Sequence, residues 1–200
     1  MKVIIIGATG TIGKYVSNAL RRQHEVINVS YSRGDYKINI EDENSIINFF
    51  KEIGSFDALV ATTGKVYFGE LHDMSSEKWQ IGLNNKLMGQ VNLVSHGLKY
   101  INDGGSFTLT SGILNKDPVK SGSSAALVNG ALEGFVIGSA IEMTRNIRIN
   151  IVSPTIVSES IEKYKEYFHG FRSISADEVA QCYVKSIEGR QTGQIYKAGW

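Results

Sequence analysis

One stretch constrains this chain more than any other: Val3-Ile4-Ile5-Ile6, followed at once by Gly7-Ala8-Thr9-Gly10-Thr11-Ile12-Gly13. Four consecutive β-branched apolar residues predict a strand buried on both faces, as in a parallel sheet. Gly7 suits a sharp turn off that strand, and Gly10 lets the backbone pass close to a pyrophosphate. Gly13 lets the following helix lie close on the sheet. The helix start, with Thr9, Thr11 and Ile12 around the glycines, then presents N–H groups and a positive dipole end to the phosphates. Strand, glycine loop and helix in that order predict a dinucleotide site, with a ligand-free tight turn as the alternative.

Beyond the loop, short β-branched runs alternate with helical periodicities, the pattern of a parallel sheet with crossover helices. Strands are expected at Lys2–Ile6, Glu25–Ser30, Tyr36–Ile40, Asp57–Thr62, Ser106–Ser111, Arg148–Val152 and Gln194–Ala198. Helices are expected at Gly10–Arg22, Asp42–Ile53, Ser76–Ile101, Ser123–Thr144, near Glu159–Phe168, and at Ala176–Glu188. The sum is an α/β Rossmann doubly wound parallel sheet of about seven strands in three α/β/α layers. Only Tyr31 to Asp35 separate the second and third strands, too few for a crossover helix, so a bare loop must make that connection.

The 200 residues fit one domain, 1–200, and no repeat or Pro/Gly/Ser linker divides them. Twenty-one Lys and Arg against 20 Asp and Glu leave a net charge of +1, which calls for neither nucleic acid nor an anionic membrane as partner. The single cysteine, Cys182, excludes an internal disulfide and a CxxC metal clamp, and the four histidines are scattered, so no metal is expected. The N-terminal apolar run is too short for a signal peptide or a membrane span, so a soluble, cytoplasmic protein is expected.

The second strand ends in Val29-Ser30-Tyr31-Ser32-Arg33, where an NAD site would place an acid on the ribose 2′-hydroxyl. No acid occurs before Asp35. Ser32 and Arg33 instead suit a 2′-phosphate, so NADP is expected in preference to NAD; a solvated surface arginine is the alternative.

These residues together resemble the short-chain dehydrogenase/reductase family over nearly the whole chain. The Gly7–Gly13 spacing is similar to that of the family's extended and atypical branches. Asn39-Ile40 stands where the family has an acid and an aliphatic residue against adenine, and Ala61-Thr62-Thr63-Gly64 replaces its NNAG segment. Gly105 to Ser111 resembles the strand that delivers the family's serine, and Arg148 to Pro154 its RVNxVSPG segment; Thr192-Gly193-Gln194-Ile195 resembles the closing ITGQ. The resemblance implies that Asn39, Ile40, Ala61, Thr62, Gly64, Pro154 and Val157 join the glycine loop around the cofactor.

It also implies a Tyr-x-x-x-Lys pair, in which tyrosine exchanges the substrate proton and lysine lowers its pKa. No tyrosine of this chain has a lysine four residues later, and no tyrosine at all lies between Tyr100 and Tyr164. Anchored on Gly134-Phe135, the tyrosine position falls on Ala125 and the lysine on Asn129. The serine position falls on Gly112, one residue from Ser111, and the asparagine position on Lys86. Lys86, Ser111 and Asn129 are therefore the catalytic candidates, each with a plainer reading as a solvated, strand-end or capping residue. Two functions stay open: an NADP-dependent oxidoreductase with a degenerate catalytic site, and a non-catalytic NADP-binding sensor or scaffold. Apolar residues on more than one face of the two long helices (Leu83, Leu87, Val91, Val94, Leu98; Leu127, Ala131, Phe135, Gly138, Ile141) predict a homodimer or homotetramer.

Overall fold

Strand β1 (Lys2–Ile6) lies inside the sheet of this computed structural model, which describes all 200 residues. Ile4 and Ile6 point to one face and Val3 and Ile5 to the other, and all four are buried. That two-sided burial is why the run does not alternate with polar residues. Around β1 stand β2 (Glu25–Ser30), β3 (Tyr36–Lys37), β4 (Phe56–Ala61), β5 (Ile101–Thr110), β6 (Arg148–Pro154) and β7 (Ile195–Ala198). Every pairing is parallel, in the order β3-β2-β1-β4-β5-β6-β7. The connections reverse direction between β1 and β4, which opens a crevice at the carboxyl ends of those two strands.

Two helices, α1 (Thr11–Leu20) and α7 (Ala176–Glu188), cover one face through Val16, Leu20, Val179, Tyr183 and Ile187. The other face is covered by α2 (Glu43–Ile53), α4 (Gly89–Gly97) and α5 (Ser123–Ala140) through Ile46, Phe50, Leu93, Leu132 and Val136. The expected three layers are thus present. Side chains cap several helices: the Asp42 carboxylate accepts from Asn44 N at 2.9 Å, and Ser175 with Glu178 forms a capping box on α7. The N-terminus of α1 has no side-chain cap.

Four expected elements differ. Strand β3 pairs over two residues only, and the chain then turns toward α2. The bare crossing before it is held by Asp35, whose N–H donates to Asn28 O at 2.7 Å and whose carboxylate accepts from Asn28 N at 2.8 Å. Strand β5 begins at Ile101 rather than Ser106, because a register shift against β4 absorbs residues 102–105. The expected helix over Ser76–Ile101 is three pieces: α3 (Ser76–Gln80), a π-helical segment Ile81–Met88, and α4. Gly82 and Gly89 permit this, since a Cβ on either would press on Ser124 or Ile40, at 2.9 and 2.8 Å. Finally, the helix expected near Glu159–Phe168 is one turn, α6 (Ile161–Tyr164).

Candidate functional site

At the crevice the three loop glycines answer to different demands. Gly7 has φ +85°, a conformation L side chains avoid. A Cβ on Gly13 would lie 2.2 Å from Gly7 O and 2.8 Å from Ala8 Cα, so the fold itself requires glycine there. Gly10 is different: its φ is −76°, and a Cβ would meet only Gly7 O at 3.2 Å. The chain itself constrains position 10 far less than position 13. The cradle beside the uncapped start of α1 fits a diphosphate, whose oxygens would take up the free N–H groups.

Two cavities extend from this loop and share Thr63 and Gly64. The first, about 610 Å³, includes Gly7, Ser30, Tyr31, Asn39, Ile40 and Asn85 in its walls. Asn85 bridges it, accepting from Lys65 N at 2.6 Å and donating to the Glu41 carboxylate at 2.6 Å. The Ser30 hydroxyl donates to Arg33 O and accepts from Arg33 N, folding Tyr31, Ser32 and Arg33 into an exposed turn at the rim. Ser30 and Tyr31 therefore line this cavity, whereas Ser32 and Arg33 stand outside its walls.

The second cavity, about 250 Å³, has a polar floor that includes Lys86, Ser111, Gly112 and Asn129. Buried Gln90 sets its geometry by clasping the end of β5: it accepts from Thr110 N at 2.9 Å and donates to Thr110 O at 3.0 Å. One turn earlier on the same helix, Lys86 Nζ donates to Ser111 O at 2.8 Å. The Lys86 stem runs over Gly64, where a Cβ would come within 2.6 Å of Lys86 Cγ. The residue keeps some access to the cavity, but its ammonium sits deep in the protein, and burial lowers its pKa to about 8. Ser111 points elsewhere: its hydroxyl donates at 3.2 Å to Glu133, a carboxylate that also accepts from Asn115 Nδ2 at 2.7 Å. Asn129 Oδ1 is buried without a partner.

Of the residues singled out from sequence, Lys86, Ser111, Asn129, Ile12, Thr62, Pro154 and Val157 thus meet in the second cavity, and Gly7, Asn39 and Ile40 in the first. Gly64 belongs to both. Thr9, Gly10, Thr11 and Gly13 form the loop and helix start nearby, while Ala61 is fully buried beneath the crevice. Sequence reasoning missed Gln90, Asn85 and Glu133, and an aromatic rim of Phe68, Tyr164 and Phe168 on the second cavity. An apolar loop after β4 and the density of aromatic residues over 164–171 were the only signals of that rim. No group of three or more His, Cys, Asp or Glu side chains is placed to hold a metal ion, and no helix is long and apolar enough to cross a membrane.

A family model described as enoyl-(acyl carrier protein) reductase matches residues 7–185. The chain is 28% identical over 149 residues to a short chain dehydrogenase of Passalora fulva, covering 70% of this chain and 56% of that protein. It is 26% identical over 156 residues to the tetrahydroxynaphthalene reductase of Pyricularia oryzae, covering 72% and 53%. It spans about half the length of these curated relatives. Among solved structures, the protein lin1944 from Listeria innocua superposes with a TM-score of 0.97 at 43% identity, covering 98% of each chain. A small-chain dehydrogenase in complex with NADPH gives 0.87 at 26% identity, covering 99% of this chain and 96% of that one. With a parallel seven-stranded sheet, a glycine cradle at its switch point and a match over most of its length, the chain belongs to the short-chain dehydrogenase/reductase family.

Proposed function

We propose that this chain is a single-domain, cytoplasmic, NADP-preferring oxidoreductase whose proton chemistry falls to Lys86 in place of the family's Tyr-x-x-x-Lys pair. The observation that carries the reading is the glycine loop at the uncapped start of α1, where Gly10 is only slightly constrained by the fold, Gly7 lines the first cavity and Ile12 the second. In this reading Gly7 to Gly13 hold the diphosphate, Asn39 and Ile40 flank the adenine, and Ser32 and Arg33 take the 2′-phosphate from the exposed turn. The small-chain dehydrogenase solved with NADPH supports the same cofactor. Thr62, Gly64, Pro154 and Val157 border the nicotinamide end. When bound, the nicotinamide supplies a hydride to a carbonyl or takes one from an alcohol. Lys86 gives or takes the accompanying proton, with an acidity near neutral pH that suits general acid–base work. Asn129 orients the substrate oxygen, and Ser111, tied to Glu133, anchors the carbonyl that holds Lys86.

A second reading, an NADP-binding sensor or scaffold without turnover, is favoured by Ala125 and Asn129 standing at the family's tyrosine and lysine positions. Fluorescence titration with NADPH and NADH tests the cofactor, and a carbonyl screen followed by NADPH absorbance separates the two readings. NADPH should bind about tenfold or more tightly than NADH, and Arg33→Ala should erase the difference. Equal affinities in the unmutated protein would sink the NADP assignment.

We further propose a homodimer or homotetramer through α5. That helix exposes Leu127 and Ile137, and its C-cap Ile141 is 88% exposed, beside Gly130, Gly134 and Gly138. A self-complementary apolar face of this kind suits a two-fold contact.

A further inference from the structure

The second cavity combines two chemistries that its position in the cleft does not explain. Its floor carries one ammonium with no counter-ion. Lys86 Nζ spends one hydrogen on Ser111 O and joins no ion pair, and the buried carboxylate that Ser111 reaches, Glu133, is occupied by Ser111, Asn115 and Lys116. Beside it, the buried Asn129 Oδ1 has no hydrogen-bond partner. A buried ammonium and a buried amide left this way are costly unless a ligand completes them. What completes the ammonium must be an acceptor oxygen, and an anionic or strongly polarised one answers it best.

The rim is the opposite in character. Phe68, from the loop after β4, packs at a tilt on Tyr164 at 6.0 Å between ring centroids and on Tyr167 at 4.9 Å, so two segments far apart in sequence meet through aromatic rings. Phe168 adds a further ring to the wall and is itself held edge-on by Phe171 at 5.1 Å. Gly112 and Ala125 contribute no bulk to the same walls. At about 250 Å³ the space lies just below the ~300–1,000 Å³ of sites that take drug-sized ligands, which limits the occupant to one or two rings. Ring faces recognise flat π-systems by offset or edge-on stacking, and saturated rings of equal size lose that term.

We infer that the second cavity takes a planar aromatic compound of one or two rings whose carbonyl or phenolic oxygen lies on Lys86 Nζ. Such a compound places its apolar body among Phe68, Tyr164 and Phe168 and its single oxygen at the floor. The inference rests on the proposed function in treating this cavity as the substrate end, and it names the substrate class.

Binding to the purified full chain tests it, with and without NADP present, using 1-naphthol, naphthalene and decahydro-1-naphthol as probes. Quenching of tryptophan fluorescence in a Trp79→Phe background serves as the readout, since Trp200 packs against the cluster of Ile113, Leu114 and Ala125 that lines the cavity. 1-Naphthol should bind about tenfold or more tightly than naphthalene, for one charge-assisted hydrogen bond, and tighter than the saturated alcohol by about three- to tenfold. Lys86→Met should remove the advantage of naphthol over naphthalene. Phe168→Leu should weaken both and leave their ratio unchanged, and Lys86→Gln, which keeps a donor, covers the case in which Lys86→Met fails to fold. Equal binding of naphthol and naphthalene, or a ratio untouched by both Lys86 variants, overturns the inference. Failure of NADPH to bind while naphthol does so overturns the cofactor reading instead, which keeps the two separable.

Discussion

Replacing Gly10 and Gly13 separately by alanine should split stability from cofactor binding. At Gly13 the added methyl would sit 2.2 Å from Gly7 O and 2.8 Å from both Ala8 Cα and Thr62 Oγ1. Two of these are backbone atoms of the loop that leaves β1, so relief requires that loop or α1 to move. Overpacking of this kind costs about 1–3 kcal/mol, against a gain of about 0.5–1 kcal/mol from alanine in a helix. The difference, a net loss of up to about 2.5 kcal/mol, corresponds to a fall of up to about 5–10 °C in melting temperature for a chain of this size. At Gly10 the methyl meets one atom at 3.2 Å, and the change at the helix cap is small, so Gly10→Ala should stay within about 1 kcal/mol of the parent. The same methyl projects into the cradle, and NADPH affinity should fall about tenfold or more. Thermal melts without ligand and nicotinamide fluorescence titrations measure the two effects independently. A Gly10→Ala protein that keeps its NADPH affinity, or that melts as early as Gly13→Ala, refutes the assignment of that position to a ligand.

Lys86 should write a pH signature into stability. Unfolded, it holds its proton to about pH 10.4, whereas the folded chain releases it near 8, so between those values the unfolded state binds more protons and stability rises with pH. The full rise is at most about 3 kcal/mol, less whatever cavity water screens, and Lys86→Met should lack it; urea midpoints that rise equally in both proteins between pH 8 and 10.5 contradict the burial of that charge. Glu133→Leu leaves the Ser111 hydroxyl and Asn115 amide without their acceptor and should cost about 1–3 kcal/mol, while Glu133→Gln recovers part of it, as read from denaturant curves. Ile141→Glu together with Ile137→Glu should shift a dimer or tetramer toward monomer in light scattering; a parent that is monomeric at every concentration ends the α5 proposal.

Much of the scaffold was legible in the sequence because its signals are local. The Val3–Ile6 run, the glycine spacing and the loop too short for a helix after Ser30 each carry their meaning within a dozen residues. The floor of the second cavity was half legible. Lys86, Ser111 and Asn129 could be named by position, but the Ser111 hydroxyl turns to Glu133, which only the packing of α5 on β5 decides. Gln90 was invisible for the same reason, since a helical glutamine reads as a surface residue until the end of β5 is laid against it. The close approaches at Gly82 and Gly89 along the π-helical segment were hidden too, because the neighbours that demand glycine there, Ser124 and Ile40, lie more than forty residues away. The aromatic rim joins segments about a hundred residues apart, a separation no periodicity encodes.

The π-helical turn over Ile81–Met88 carries a consequence for how such a site arises and is lost. A π turn is an α-helix with one residue inserted, and each residue of an α-helix advances the direction of a side chain by about 100°. Deleting a single residue between Ile81 and Asn85, while the α4 end stays pinned by Gln90, would restore a regular helix upstream and swing the entry from α3 by that angle. An insertion of one codon is therefore enough to re-aim α3 against the lysine-bearing turn that Gln90 holds in place, and a deletion of one codon enough to undo it. The approach to the cavity floor can change direction in a lineage while the residues of the floor stay as they are.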